Sequence, residues 1–248
     1  MIAFLGLGEA GGLISADLRA AGADVRGYDP LPETRPDAAS PVEAASGAGV
    51  VISLVTAEHA VEAATSVLGA IGSGTVYADL NTASPRLKQE LAALVGPTGA
   101  AFADVALMAP VPGLGLRTPA VASGPGARAF ADALGPLGMP VTVIDGGPGV
   151  AAARKLLRSV AWKGLAAVVG EALEAARAAG QEAWMRAELL ALLETADATL
   201  IERMETGSRK HAVRRMHEME DVSALLRELG VQPRVSEASR EWLASLRA

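Results

Sequence analysis

Three glycines near the start of the chain have the spacing of a loop that binds a dinucleotide. Gly6, Gly8 and Gly11 form a GxGxxG pattern that directly follows an apolar run. The first glycine permits a tight turn, the second lets the backbone approach a pyrophosphate, and the third lets the following helix pack closely on the strand. The pattern alone is weak, but its position between a strand and a helix predicts dinucleotide binding by these glycines and the intervening Glu9 and Ala10.

A carboxylate at the end of the second predicted strand bears on the choice of cofactor. Asp29 lies 21 residues after Gly8, where a carboxylate can accept hydrogen bonds from the adenosine ribose. A 2′-phosphate would meet that negative charge, which favours NAD over NADP. Arg35 could reach a 2′-phosphate if the loop 30–37 folds back. NAD is therefore the predicted cofactor, and NADP is the alternative.

Lysine is the rarer cation of this chain, with four lysines among 22 basic residues. Lys155 lies early in a predicted long helix, and Ser159 and Trp162 follow it by four and seven residues, so an amine, a hydroxyl and an aromatic ring share one face. We predict that Lys155 and Ser159 are catalytic and that Trp162 contacts the substrate. An exposed helix lysine is the alternative, and Lys163, offset by about 80° around the helix, is the rival for the same role.

The segment 208–217 concentrates positive charge, since it holds four permanent cations, two of the three histidines and no acid. The cations are Arg209, Lys210, Arg214 and Arg215. Arginine makes bidentate contacts to carboxylate or phosphate, so the segment could clamp an anionic substrate group. The simpler interpretation is a solvated face that pairs with acids at 218–221. The spacing of His59, His211 and His217 does not predict a metal site, and no Gly-x-Ser-x-Gly motif predicts a hydrolase.

The composition limits the class of protein. The 248 residues are 50% apolar and 20% charged, with 27 Gly, 14 Pro and no Cys. These values exclude a disordered chain, a disulfide scaffold and thiolate chemistry. The net charge of −6 disfavours nucleic acid as a partner. Without a basic leader or an apolar stretch long enough for a membrane span, we expect a cytoplasmic protein that acts on a small molecule.

Alternating strand and helix patterns predict the elements that position these residues. The fold class is α/β, with an N-terminal Rossmann domain that has a doubly wound, mainly parallel sheet over residues 1–148. The predicted strands are 2–7, 23–29, 50–55, 75–80, 101–107, 119–122 and 141–144. The first predicted helix of this part follows the glycines and ends at about residue 21, and the others are 57–70, 84–95 and 126–136.

The remaining residues, 149–248, predict an all-helical domain for substrate binding and dimerisation. Its predicted helices are 150–179, 182–205, 209–229 and 236–246, with Gly180, Gly207 and Gly230 as stops. The first helix is rich in alanine, and Gly164 and Gly170 permit close approach of another helix. Its apolar surface exceeds what a small helical domain can easily cover, which predicts a homodimer.

Several segments together resemble the β-hydroxyacid dehydrogenases related to 6-phosphogluconate and 3-hydroxyisobutyrate dehydrogenases. The matching segments are 6–11, 79–85, 104–124 and 146–155. The resemblance implies a hydride transfer between a nicotinamide cofactor and a small, anionic β-hydroxy acid, with Lys155 as general acid and base. It also implies a dimer that shares the long helix. Val55, Thr56 and Asn81 complete the predicted cofactor site.

The chain departs from this family at positions that would contact the substrate. Met108, Ala109 and Pro110 stand where the family commonly has Ser-Gly-Gly, and we predict that they line the substrate site. Ser159 replaces an Asn, and the acids 220–221 replace a Lys-Asp pair. The chain therefore looks more like a less characterised branch, and its substrate is not predicted. Imine reduction, which the apolar Met108 would suit, and a non-catalytic dinucleotide-binding regulator are the alternatives.

Overall fold

The computed structural model describes residues 1–34 and 36–246, so the predicted role of Arg35 lies outside the described residues. The chain divides into two compact units, residues 1–158 and 159–248. This division falls ten residues after the predicted boundary at 148, because the first turns of the long helix belong to the first unit. The function of each unit stays a prediction.

The first unit is built on a seven-stranded sheet whose strands all lie within predicted ones or overlap them. The strands are β1 (Ile2–Leu5), β2 (Val25–Tyr28), β3 (Val50–Ser53), β4 (Val76–Asp79), β5 (Ala101–Leu107), β6 (Ala120–Ser123) and β7 (Val141–Val143). Their order is β2-β1-β3-β4-β5-β6-β7. The pairs are parallel except β5 with β6, which confirms a mainly parallel sheet.

The antiparallel pair has a consequence for the site. The link between β5 and β6, residues 108–119, contains a short 3-10 turn but no α-helix that would cross over the sheet, and the chain turns back on itself. In the resulting register Asp104 lies directly opposite Ser123. Two buried polar side chains are thereby placed side by side, and Asp79 of β4 lies beside Asp104 on the other side.

Helices cover both faces of the sheet. They are α1 (Glu9–Ala20), α2 (Pro41–Ala45), α3 (Ala60–Val67), α4 (Pro85–Val95) and α5 (Ala127–Leu134). Because side chains alternate along a strand, Phe4 packs in one core cluster with Ile14 of α1. Leu5 packs in the other cluster, with Leu91 of α4. The helix α4 begins where Ser84 accepts a hydrogen bond from the Leu87 N–H at 3.2 Å.

The second unit is helical, and the long helix α6 (Val150–Ala178) runs from the first unit into it. The others are α7 (Glu182–Glu194), α8 (Ala198–Lys210), α9 (Ala212–Glu228) and α10 (Arg234–Ser245). The prediction of a single helix over 182–205 was wrong. Asp197 Oδ1 accepts from the Leu200 N–H at 2.9 Å and starts a new helix, while Gly207 lies inside α8 instead of ending it. Among the described residues, no helix combines the length and apolar character that crossing a membrane requires.

Candidate functional site

The carboxyl ends of β1 and β3 form the place where this sheet is expected to bind a ligand. β1 lies between β2 and β3, so the chain leaves it towards one side of the sheet and later returns on the other. Ligands of doubly wound sheets bind outside the carboxyl ends of the strands at such a reversal. The predicted glycine-rich turn, which begins directly after β1, lies there.

The three glycines of this turn have different reasons to be glycine. Gly6 has a φ of 96°, and a Cβ there would lie 2.4 Å from the backbone oxygen of Leu54. A Cβ on Gly11 would lie 2.1 Å from the backbone oxygen of Gly6. At Gly8, which caps α1 without a side-chain hydrogen bond, a Cβ would meet no atom within 4 Å. The protein's own packing therefore explains Gly6 and Gly11, whereas bare backbone at Gly8 fits the approach of a pyrophosphate.

Other side chains of the turn are placed as a dinucleotide site requires. Glu9 and Ala10 form the first turn of α1. Asp29, just after β2, accepts from the Leu7 N–H at 2.7 Å and the Leu31 N–H at 2.9 Å. The carboxylate thus ties the glycine-rich turn to the end of β2. A carboxylate has about four lone-pair sites, so these two bonds leave acceptor capacity for a ribose hydroxyl.

The predicted cofactor residues after β3 and β4 are joined to each other. Asn81 Oδ1 accepts from the Val55 N–H at 2.7 Å, and Asn81 Nδ2 donates to Asp79 Oδ2 at 2.7 Å and to Ser53 Oγ at 3.2 Å. Asn81 is buried and its amide is engaged within the protein, so it positions Val55. Thr56 Oγ1 lies 2.8 Å from His59 Nδ1. Direct contact of these residues with a cofactor stays a prediction.

Lys155 lies in the first unit, at the same edge of the sheet. Its Nζ donates to Thr82 Oγ1 at 2.8 Å. Thr82 follows Asn81 in the turn after β4, and β4 is the neighbour of β3. Lys155 is half-buried, whereas Lys163 is exposed and belongs to the second unit. The sequence predicted a role for Lys155 but not its contact with Thr82, because only the fold brings these residues together.

The predicted substrate residues fall in both units. The backbone of Met108 is held on two sides, since its N–H donates to the Pro119 oxygen at 2.7 Å and its oxygen accepts from the Arg158 guanidinium. Ala109 is half-buried and Pro110 is exposed. The two other predicted residues, Ser159 and Trp162, belong to the second unit, where Ser159 is half-buried and Trp162 is exposed.

Sequence reasoning missed a buried ionic cluster next to this site. Lys88 Nζ contacts Asp79 Oδ1 and lies 3.4 Å from Asp104 Oδ1. Burial raises the pKa of Asp79, although its contacts with Lys88 and Asn81 act in the opposite direction. A signal was present, because Lys88 lies with Leu91 on the buried stripe of α4, where an unpaired lysine would be costly.

The basic segment is part of the second unit and is mostly exposed. Arg214 lies 3.6 Å from Glu218, which supports the interpretation as a paired surface for that residue. Arg215 Nη1 donates to Ser208 Oγ at 2.8 Å. A cavity near the start of α9 is lined by several members of the segment, among them Arg209, Lys210, His211, Arg214 and His217. Within residues 1–34 and 36–246, no group of three His, Cys, Asp or Glu could hold a metal ion.

A carboxylate of α6 organises the packing of the second unit. Glu171 accepts from the N–H groups of Val235 and Ser236 at 2.7 and 2.8 Å and from Ser236 Oγ at 2.6 Å. Desolvation raises the pKa of Glu171, but the hydrogen bonds from Ser236, Val235 and Arg234 outweigh it and lower the pKa below its ordinary value. The charged carboxylate therefore holds the start of α10 against α6.

Comparison with known families agrees with this geometry. The fold and the glycine-rich turn define a dinucleotide-binding protein. Residues 1–113 match the NAD binding domain of 6-phosphogluconate dehydrogenase. Residues 176–246 match a domain of unknown function, DUF1932. The predicted relationship to the β-hydroxyacid dehydrogenases is thus confirmed, as is the binding of a nicotinamide dinucleotide.

Individual relatives point to the same group. A probable 3-hydroxyisobutyrate dehydrogenase of Mycobacterium tuberculosis is 36% identical over 126 residues, which are 47% of this chain and 43% of the relative. The chain thus matches less than half the length of that curated relative. A solved protein of unknown function, described as structurally similar to 3-hydroxyacid dehydrogenases, is 29% identical, with a TM-score of 0.65 and coverage of 99% of this chain and 97% of that one.

The fold is also shared with imine reductases. The imine reductase from Myxococcus stipitatus was solved in complex with NADP⁺. It aligns with a TM-score of 0.84, and the alignment covers 99% of this chain and 93% of that enzyme. Its sequence identity is 16%, so the similarity establishes a common fold.

Proposed function

We propose that this chain is an NAD(P)-dependent oxidoreductase that transfers a hydride between nicotinamide and a small, anionic β-hydroxy acid. The observation that carries the proposal is the position of Lys155. Its Nζ is held 2.8 Å from Thr82 Oγ1 in the NAD-binding unit, at the carboxyl end of β4. A proton-carrying amine is therefore fixed at the edge of the sheet where the glycine-rich turn lies.

The residues present suit the parts of such a reaction. When bound, the nicotinamide cofactor accepts a hydride in oxidation and supplies one in reduction. Lys155 takes the hydroxyl proton of the substrate during oxidation and returns it during carbonyl reduction. Thr82 orients the amine through its hydroxyl, and Ser159 holds the substrate. Asp29 favours NAD, because its charge would repel the extra phosphate of NADP.

The substrate loop favours a second candidate, imine reduction. Met108, Ala109 and Pro110 are apolar where the related dehydrogenases hold a carboxylate, so a less polar substrate would fit. Arg158, whose guanidinium contacts the Met108 oxygen, is the nearby cation that would instead support an anionic substrate. The hydroxy acid dehydrogenase and the imine reductase therefore differ in whether this loop binds a negatively charged group of the substrate.

We further propose a homodimer located in the cytoplasm. The described part of α6 to α8 exposes many large apolar side chains, including Val168, Trp184, Leu190, Leu193 and Ile201. Surfaces of this kind mark interaction sites in soluble proteins, and a second copy of the chain carries the complementary apolar surface.

The direct test is turnover by the purified chain. We would follow nicotinamide absorbance with 3-hydroxyisobutyrate and NAD⁺ or NADP⁺, and with methylpyrroline and the reduced cofactors. Oxidation of the hydroxy acid is the expected result. Turnover of the imine alone would replace the main proposal by the second candidate. Tight cofactor binding without turnover of either class, across a panel of short hydroxy acids and imines, would indicate a non-catalytic regulator.

A further inference from the structure

A buried ammonium group joins two buried carboxylates in the first unit. Lys88 is 1% exposed, and its Nζ donates to the backbone oxygen of Asp79 at 2.7 Å and to Asp79 Oδ1. The same nitrogen lies 3.4 Å from Asp104 Oδ1. We call these three residues the buried triad. The Lys88 nitrogen donates both of its hydrogen bonds to Asp79, and Asp104 Oδ1, a buried oxygen without a hydrogen-bond partner among the described residues, contacts it as the second member of an ion pair.

The first arm of the buried triad leads to the turn after β4. Asp79 accepts from the Asn81 side chain at 2.7 Å and from the Asn81 N–H at 3.3 Å. Asn81 in turn accepts from the Val55 N–H at 2.7 Å. The next residue, Thr82, accepts from Lys155. Asp79 therefore fixes the turn that presents the Lys155 partner.

The second arm leads to the start of the helix that carries Lys155. Asp104 Oδ2 accepts from the N–H groups of Gly149 at 2.9 Å and Ala152 at 3.1 Å. Ser123, opposite Asp104 in the sheet, accepts from the Ala151 N–H at 3.0 Å. A negative charge at this end of a helix is favourable because the unpaired N–H groups make it positive. Asp104 therefore fixes α6 one turn before Lys155.

We infer that Lys88 is a positioning residue, which holds both partners of the Lys155–Thr82 contact in register through Asp79 and Asp104. This inference rests on the proposed role of Lys155. The buried triad is poorly suited to add net stability, because desolvation of buried charges offsets much of their attraction. Its geometry instead links two segments, the 79–82 turn and the start of α6, that meet at the lysine amine.

The test compares how fast Lys155 and Lys163 react with limiting acetic anhydride, read by mass spectrometry of the folded protein. Lys163 lies on the same helix, is exposed, and serves as an internal control. In Thr82→Val, which removes the acceptor, the labelling of Lys155 relative to Lys163 should rise about 5-fold, the factor for roughly 1 kcal/mol from one hydrogen bond. Lys88→Met should raise the ratio by a similar factor, although it touches neither residue.

The second readout is catalytic. With whichever of 3-hydroxyisobutyrate or methylpyrroline the chain turns over, Lys88→Met should lower kcat about 10- to 100-fold, the cost of a small misplacement. The dissociation constant of the cofactor should change far less, whereas general loss of structure would weaken both. Should Lys88→Met fail to fold, the double variant with Asp79→Asn removes one of the unpaired charges and should show the same two effects.

An unchanged labelling ratio in a folded Lys88 variant would overturn the inference. If Lys155→Met itself lowers turnover, an altered ratio with normal kcat in the Lys88 variant would overturn it as well. The proposed function fails separately, through normal turnover in Lys155→Met or through no turnover of either probe. In that case the labelling ratio still decides whether Lys88 positions Lys155.

Discussion

At the scale of single residues, two lysines on one helix differ in their surroundings. Lys155 is half-buried and bonded to Thr82, whereas Lys163 is exposed in the second unit. Only the first is fixed at the edge of the NAD-binding unit. A proton carrier has to be held within hydrogen-bond reach of the reacting group, so the structure favours Lys155 as the lysine to test.

We expect Lys155→Met to lower turnover about 100-fold or more, the usual scale for general acid-base catalysis. Methionine keeps the length of the side chain and the helix propensity but cannot carry a proton. Cofactor affinity, measured by titration of nicotinamide fluorescence, should change little. Lys163→Met is the matched control and should keep its turnover. The reverse pattern would assign the catalytic role to Lys163.

Asp29→Ala should narrow the preference for NAD over NADP, because it removes the charge that a 2′-phosphate would face. The dissociation constants of both cofactors, measured for parent and variant, check this. The variant also leaves the N–H groups of Leu7 and Leu31 without their acceptor, which loosens the glycine-rich turn. Both cofactors should therefore bind more weakly. Asp29→Asn, which keeps an acceptor, separates the two effects. Tighter binding of NADP by the parent chain would show that Asp29 does not control the choice.

The sequence supports prediction of those site residues whose reason is local. Gly6 and Gly11 could be predicted, because the tight turn and the close helix are consequences of the pattern itself. Lys88 and Thr82 could not be assigned roles, since their partners lie on other elements. Lys88 meets Asp104 only because β4 and β5 pair and α4 packs over them. Contacts between residues on different elements produce no regular spacing in the sequence, so a single sequence does not predict them.

At the scale of elements, the carboxylate of Glu171 on α6 holds the first turn of α10. Glu171→Gln should lower the hydrogen-exchange protection of the Val235 and Ser236 amides about 5-fold, as expected for roughly 1 kcal/mol from a helix cap. Glu174→Gln changes an exposed carboxylate on the same helix and should leave these amides unaffected. Equal effects in the two variants would show that the charge of α6 as a whole, and not the cap, is responsible.

The effect of Glu171→Gln should depend on pH. The pKa of Glu171 is lowered in the folded protein, so its stabilisation is complete above the pKa of the unfolded chain, about 4.3. It is lost as the pH falls through the lower, folded pKa. The difference in protection between parent and Glu171→Gln should therefore be constant near neutral pH and disappear in acid. A difference that persists at low pH would contradict the role of the charge.

Elements were easier to predict where burial dominates. A parallel strand covered on both faces produces a short apolar run between turns, and each predicted strand corresponds to an observed one. The helical part lacks that contrast. The break at 195–197 depends on one capping contact of Asp197, and no change in apolar pattern marks it. The prediction therefore merged α7 with the first part of α8.

At the scale of the whole molecule, the exposed apolar side chains of α7 lead to an expected dimer. Sedimentation at micromolar concentration should give twice the 25.2 kDa of one chain. Leu190 and Leu193 are 60% and 52% exposed. Replacing both with Glu should shift the protein towards the monomer, because burying two carboxylates in an interface is costly. Leu114→Glu, an exposed position in the first unit, is the control. A stable 25.2 kDa species of the parent chain would remove the proposal.

The cap of α6 has a consequence for how the protein is made. Its acceptors, Asp104 and Ser123, precede the amides of Gly149, Ala151 and Ala152 by 28 to 48 residues. During synthesis both acceptors therefore leave the ribosome before the helix that they cap. A helix forms in under a microsecond once its first turn is fixed, whereas distant strands pair much more slowly. Because β5 and β6 are synthesised first, their slow pairing begins before α6 can form. Asp104 and Ser123 are then already in place to accept from the first N–H groups of the helix.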